Sequence, residues 1–110
     1  MAYNVIITPP ARHQLEMYIA YTLCELKNLQ AARSIKDDAR ETKKRLSNIA
    51  GSLPLCKDKV LAKNGYRRIL FKKHDFFMVY RIDNNTVIVD AMYHELQDYE
   101  SVFADRMHLK

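Results

Sequence analysis

A chain of 110 residues, 48% apolar, with 2 glycines and 3 prolines, has the size and burial capacity of one folded domain, so a single unit over residues 1–110 is expected and a disordered chain is not. No apolar run approaches the roughly 20 residues that span a bilayer. Met1 leads into a strand-like segment rather than a charged leader, so a cytoplasmic protein with no membrane partner is expected. The net charge of +5 is unevenly spread: residues 1–56 carry 8 basic and 5 acidic groups, residues 57–81 carry 8 and 2, and residues 82–110 carry 2 and 6. A concentrated positive segment favours a polyanionic partner through counterion release, the plain alternative being a solvated charged face. Cys24 and Cys56 show no CxxC spacing and no clustered histidines, which points to neither a zinc site nor a disulfide framework.

In chain order, Tyr3 to Ile7 is a short β-rich run, and Thr8-Pro9-Pro10 supplies a helix cap followed by proline at the first helical positions. Ala11, Leu15, Tyr18, Thr22 and Leu26 then recur at spacings of three and four, one face of a helix. After a break at Lys27-Asn28, Ile35, Ala39, Thr42, Leu46 and Ile49 repeat the pattern up to a stop near Gly51. The two helices should form an antiparallel hairpin whose apolar stripe needs a covering surface.

That surface is expected downstream. Tyr66–Lys72, Phe76–Ile82 and Thr86–His94 are β-rich runs separated by Lys73-His74-Asp75 and Asp83-Asn84-Asn85, both short enough for hairpins. In the last run Val87, Val89, Ala91 and Tyr93 alternate with Ile88, Asp90, Met92 and His94, which predicts one face against the helices and one more polar face. Asp98 then caps a short final helix with Tyr99, Val102, Phe103 and Met107 on its apolar side. The expected architecture is α+β: an N-terminal strand, an antiparallel helical hairpin on a twisted antiparallel sheet of about four strands, and a short C-terminal helix.

No GxGxxG, GxxxxGK, GxSxG or HExxH motif occurs, and no carboxylate and histidine set has metal-ligand spacing, so no metal and no cofactor is expected. What remains are cations, aromatics and one histidine near the predicted strand ends: Arg67 and Arg68, Arg81, and Tyr93-His94. Arginine suits phosphate oxygens, tyrosine stacks on bases, and histidine exchanges protons near neutral pH. Attack by an RNA 2'-hydroxyl needs a base, an acid and stabilisation of charge on the phosphorus, and these residue types can supply all three. The structural alternatives are a solvated strand face for Arg67 and Arg68, a hydrogen bond to a neighbouring carbonyl for His94, and a core position for Tyr93.

The whole chain resembles a RelE/ParE superfamily toxin of a bacterial type II toxin-antitoxin system. The likeness runs through Tyr3-Asn4-Val5-Ile6-Ile7-Thr8 with Ala11 and Leu15, Leu53-Pro54, Gly65-Tyr66-Arg67-Arg68-Ile69, Phe77-Met78-Val79-Tyr80-Arg81-Ile82, Val87-Ile88-Val89, Tyr93-His94 and Asp98-Tyr99. It implies the fold just derived and a cognate antitoxin as partner. It also implies one of two activities: ribosome-dependent cleavage of mRNA, as an mRNA interferase, or poisoning of DNA gyrase without catalysis. An inactive toxin that still binds its antitoxin is a third outcome.

Under the first activity, a metal-independent endoribonuclease, His94 resembles the strand-end histidine of YoeB-like members and would transfer the proton. Arg67 and Arg81 would stabilise the phosphate, while Lys63, Arg68, Lys72 and Lys73 would grip the RNA backbone. Phe77 and Ile69 depart from the pattern, since many ribonuclease members carry cations there. The acidic Glu95, Asp98 and Glu100 depart from the basic tails of ribosome-binding relatives. An acidic and apolar antitoxin segment, as a helix or an added strand, would complement the basic side.

Overall fold

The computed structural model describes residues 2–110. Strand β1 (Asn4–Ile7) passes through Thr8 into helix α1 (Pro9–Cys24). Thr8 is extended, its hydroxyl accepts the Ala11 N–H and donates to the Val89 carbonyl, and Pro9 and Pro10 fill the first helical positions, where a missing N–H costs nothing. Helix α2 (Leu29–Ile49) starts under the Asn28 side chain, which accepts the Ala31 N–H at 2.9 Å. It ends in a single 3-10 turn, Ala50–Ser52, that contains Gly51.

The next element is one the periodicity did not reveal. Helix α3 (Lys59–Lys63) is a turn and a half long, too short for a repeating apolar pattern. Local chemistry makes it: the Asp58 carboxylate accepts the Val60 and Leu61 N–H groups, and Gly65, at φ 81°, closes the far end. There the Gly65 N–H reaches Ala62 O and the Tyr66 N–H reaches Leu61 O, the paired pattern that satisfies the last helical carbonyls. Strands β2 (Arg67–Leu70), β3 (Phe76–Asp83) and β4 (Thr86–His94) follow as a meander, and helix α4 (Glu100–Arg106) closes the chain. Asp98 does not cap α4; Tyr99 holds that position with no side-chain bond, and Val102 is exposed while Tyr99 and Phe103 are buried.

The sheet order is β1-β4-β3-β2. β2, β3 and β4 pair antiparallel, but β1 lies parallel to β4, Asn4 beside Thr86 and Ile7 beside Val89. The sheet is therefore mixed and not wholly antiparallel as expected. Tight turns oblige neighbouring strands to run antiparallel; β1 and β4 are separated along the chain by three helices and strands β2 and β3, which removes that obligation.

A bulge corrects the expected faces of β4. Val79 pairs with Ala91 but Tyr80 pairs with Val89, leaving Asp90 as the extra residue. The alternation inverts there. Val87, Val89 and Met92 pack with Met78, Tyr80 and Ile69 under α1 and α2, whereas Ala91 and Tyr93 pack with Phe77, Val79 and Tyr66 on the opposite side, under α3 and α4. Both faces of the sheet are covered, so the more polar face anticipated for β4 does not exist.

Candidate functional site

Arg67 sits on the helix-facing side of β2, where its guanidinium donates to the carbonyls of Gly51 (3.2 Å) and Leu53. Arg81 is held on the other face by Asp90, Nε to Oδ2 at 3.0 Å, and the same carboxylate oxygen accepts the Tyr66 hydroxyl at 2.9 Å. Arg106 donates to the Asp90 carbonyl, tying α4 to the bulge. Burial, together with the neighbouring Asp90 carboxylate, pushes the Tyr66 phenol up to about 12. Burial opposes the Arg81 charge, but the bond to Asp90 outweighs it and holds that guanidinium above its ordinary value. Both arginines are thus committed to internal partners.

His94 lies at the other end of the sheet. It stands opposite Phe76 at the start of β3, while Arg67 stands opposite Tyr80, about 13 Å further along the strand. Arg81 is one residue beyond that. His94 Nδ1 accepts the Leu96 N–H at 3.1 Å, the His94 backbone N–H donates to Gln97 Oε1 at 2.8 Å, and the His94 ring meets Phe76 edge-on at 5.2 Å. An Nδ1 that accepts leaves the neutral ring's proton on Nε2. The fold therefore does not bring together His94, Arg67 and Arg81, the three groups anticipated as one cleavage site. Tyr93 is buried in the α4-side core.

The cations that do converge border the outer edge of β2. Arg68 lies over the Phe77 ring at 4.9 Å and the Tyr99 ring at 5.9 Å. Beside it opens a concavity of about 400 Å³ lined by Arg45, Lys57, Arg68, Leu70, Tyr99 and Glu100 among others. Arg45 donates to the Leu70 carbonyl at 3.1 Å and also borders a second groove, of about 550 Å³, between α2 and the β2–β3 turn. That groove holds Arg33, Lys72 and Lys73 with Asp37, Asp38 and Glu41. The two concavities share Arg45, and their linings together carry six cations and four carboxylates, a net-positive trench bordering β2. Lys63, in the last turn of α3, borders neither.

Asp38 positions the turn that carries the two lysines. Its buried carboxylate accepts the Lys72 and Lys73 N–H groups (3.3 and 2.9 Å) and bonds His74 Nδ1 at 2.7 Å. Burial opposes the Asp38 charge, yet the bonds from His74 and the two amides outweigh it and hold the carboxyl below its ordinary value. Nearby, burial pushes the Cys56 thiol up, so the thiolate is disfavoured. Among the described residues, no three His, Cys, Asp or Glu side chains are grouped to hold a metal, and no helix is long and apolar enough to cross a membrane.

Asp38 and Arg45, which the periodicity left unmarked, organise this surface, while Asp90, read from the alternation only as part of a polar face, ties Arg81, Tyr66 and Arg106 to the β4 bulge. Asp38 had a visible signal. It falls between Ile35, Ala39 and Thr42 on the apolar face of α2, where a carboxylate requires buried partners.

The arrangement is similar to solved toxin-antitoxin structures. A chain of the chromosomal ParDE system from P. aeruginosa superposes with a TM-score of 0.70 at 16% identity, covering 84% of this chain and 96% of that one. A chain of the RelBE2 toxin-antitoxin complex from Mycobacterium tuberculosis gives 0.58 at 18% identity, covering 86% and 99%. These likenesses define the fold as RelE/ParE-like. No match was found among curated proteins. The model of the ParE toxin family of type II toxin-antitoxin systems matches residues 5–99, and the chain belongs to that family.

Proposed function

We propose that this toxin arrests growth by binding DNA gyrase without catalysis, rather than by cleaving mRNA. The carrying observation is the separation of His94 from Arg67 and Arg81, together with the internal bonds that occupy both arginines. RNA cleavage needs the proton-transfer group and the phosphate-holding cations at one phosphate. The buried Phe77, where ribonuclease relatives place a cation, supports the same reading. Since one scaffold serves both activities, the site and not the fold has to discriminate. Purified toxin at micromolar concentration should block gyrase supercoiling and leave mRNA whole on translating ribosomes. His94→Ala should arrest growth as wild type does. Discrete mRNA cuts that disappear in His94→Ala would overturn the proposal in favour of the ribonuclease.

In the same reading, the cognate antitoxin lays an acidic and apolar segment along the trench of Arg45, Lys57, Arg68, Lys72 and Lys73, beside the exposed Leu55 and Leu70. Opposite charge speeds encounter while apolar contact slows release. Stopped-flow mixing should show an association rate falling about tenfold or more between low and physiological salt, with dissociation nearly unchanged. An association rate indifferent to salt would remove the electrostatic role of the trench.

A further inference from the structure

The helical hairpin carries a feature that lies outside the trench. Among the described residues, five of the ten exposed large apolar side chains fall between positions 17 and 29: Met17 (59% exposed), Tyr21 (58%), Leu23 (42%), Leu26 (59%) and Leu29 (51%). On α1, Met17, Ala20, Tyr21 and Cys24 recur at spacings of three and four along one exposed side, and none is charged. α1 buries its opposite side through Ala11 and Thr22, and from Met17 to Cys24 it carries no charged side chain on any side, as a segment covered on both sides would. The exposed patch is on the order of 500 Å² of apolar surface, the size that marks an interface.

We propose that this patch is a self-association surface, closed by a second copy of the chain with the two α1 helices antiparallel about a two-fold axis near Tyr21. Charge argues for this occupant. Two molecules of net charge +5 repel over most of their surface, and the stripe lets them meet without opposing like charges. Its margin carries Glu16, Glu25 and, just past the helix end, Lys27, with Glu16 and Lys27 placed almost symmetrically before and after Tyr21. A two-fold axis there sets Glu16 of each copy against Lys27 of the other, the self-complementarity that an isologous contact requires. An acidic segment would find one balanced cation on this patch and several free ones along β2, at the opposite edge of the sheet from the β1 and β4 strands that α1 follows and packs on.

Pairing would bury about 1,000 Å² in total, the lower end for specific contacts, so the dimer is weak. The inference concerns a different face from the trench and stands or falls independently of the toxin's target.

Sedimentation equilibrium of the full chain should show a reversible dimer with Kd on the order of 10–100 µM. Tyr21→Asp should weaken it at least about tenfold. Glu16→Lys and Lys27→Glu, both exposed, should each weaken it roughly threefold or more, and the two together should restore it. In a Cys24→Ser background, Tyr21→Cys should form an interchain disulfide on mild oxidation, while Met17→Cys, well away from the axis, should not. A chain monomeric at about 300 µM would overturn the proposal, as would a dimer indifferent to Tyr21→Asp or one in which Met17→Cys cross-links as readily as Tyr21→Cys.

Discussion

Phe77→Ala is expected to destabilise the protein by about 3–5 kcal/mol, lowering the thermal midpoint by more than about 10 °C. Phe77 is fully buried at the centre of the core beneath α3 and α4, with ring centroids 4.8 Å from Tyr99 and 6.1 Å from Tyr93. Removing the ring deletes its transfer free energy and leaves a cavity that β3, paired on both sides, cannot close by shifting. The loss also takes away the surface under Arg68. Phe77→Arg should be worse still, because the new charge would lie among aromatic rings, and Asp90, the buried carboxylate on this side of the sheet, is already bonded to Arg81 and Tyr66. The cation that ribonuclease relatives carry there is therefore not recoverable by a single substitution. Thermal and urea denaturation followed by circular dichroism would measure both variants. A loss below about 1.5 kcal/mol for Phe77→Ala would show that this side of the sheet is less tightly packed than described.

Asp38→Ala should cost about 2–4 kcal/mol, the second largest effect. The substitution removes one acceptor but strands three donors, the Lys72 and Lys73 amides and the His74 ring, at the join between α2 and the β2–β3 turn. Asp38→Asn keeps one acceptor oxygen and should recover part of the loss. The sign of the pH dependence follows from the depressed Asp38 carboxyl. A carboxyl lowered in the folded state adds stability that is fully present above the ordinary carboxylate range and disappears as pH falls through the folded value. Denaturant midpoints should therefore show wild type and Asp38→Ala far apart at neutral pH and converging on acidification. A gap that stayed constant into strong acid would mean that the carboxylate is not the group holding the turn. Since Lys72 and Lys73 ride on that turn, the variant should also slow antitoxin association even where the protein remains folded.

Local chemistry was legible wherever a residue type acts within a few positions of itself. Thr8 with Pro9 and Pro10 marks the start of α1 because capping needs only neighbouring amides, and the α2 stripe shows because the helical period repeats over many turns. The meander was equally readable, since short turns oblige antiparallel neighbours. α3 escaped because its capping residues, Asp58 and Gly65, enclose too few positions for a period to appear. Asp38 was legible in principle, as a carboxylate inside an apolar face, but nothing in the sequence says that its partners lie more than thirty residues away on another turn.

By itself, then, the sequence determined the order of every strand and helix except α3, the antiparallel meander, the concentration of cations in residues 57–81 and the resemblance to RelE/ParE toxins. These rest on composition, local propensity and spacing. Three things were decided only by the tertiary structure: the parallel β1, the inversion at Asp90, and the dispersal of His94, Arg67 and Arg81. Each depends on register between distant segments. A single extra residue in a strand reverses every side chain beyond it, and a pairing shift of four residues separates two groups by about 13 Å. Spacing along the chain carries no information about such shifts, because they are chosen by the joint packing of both sheet faces.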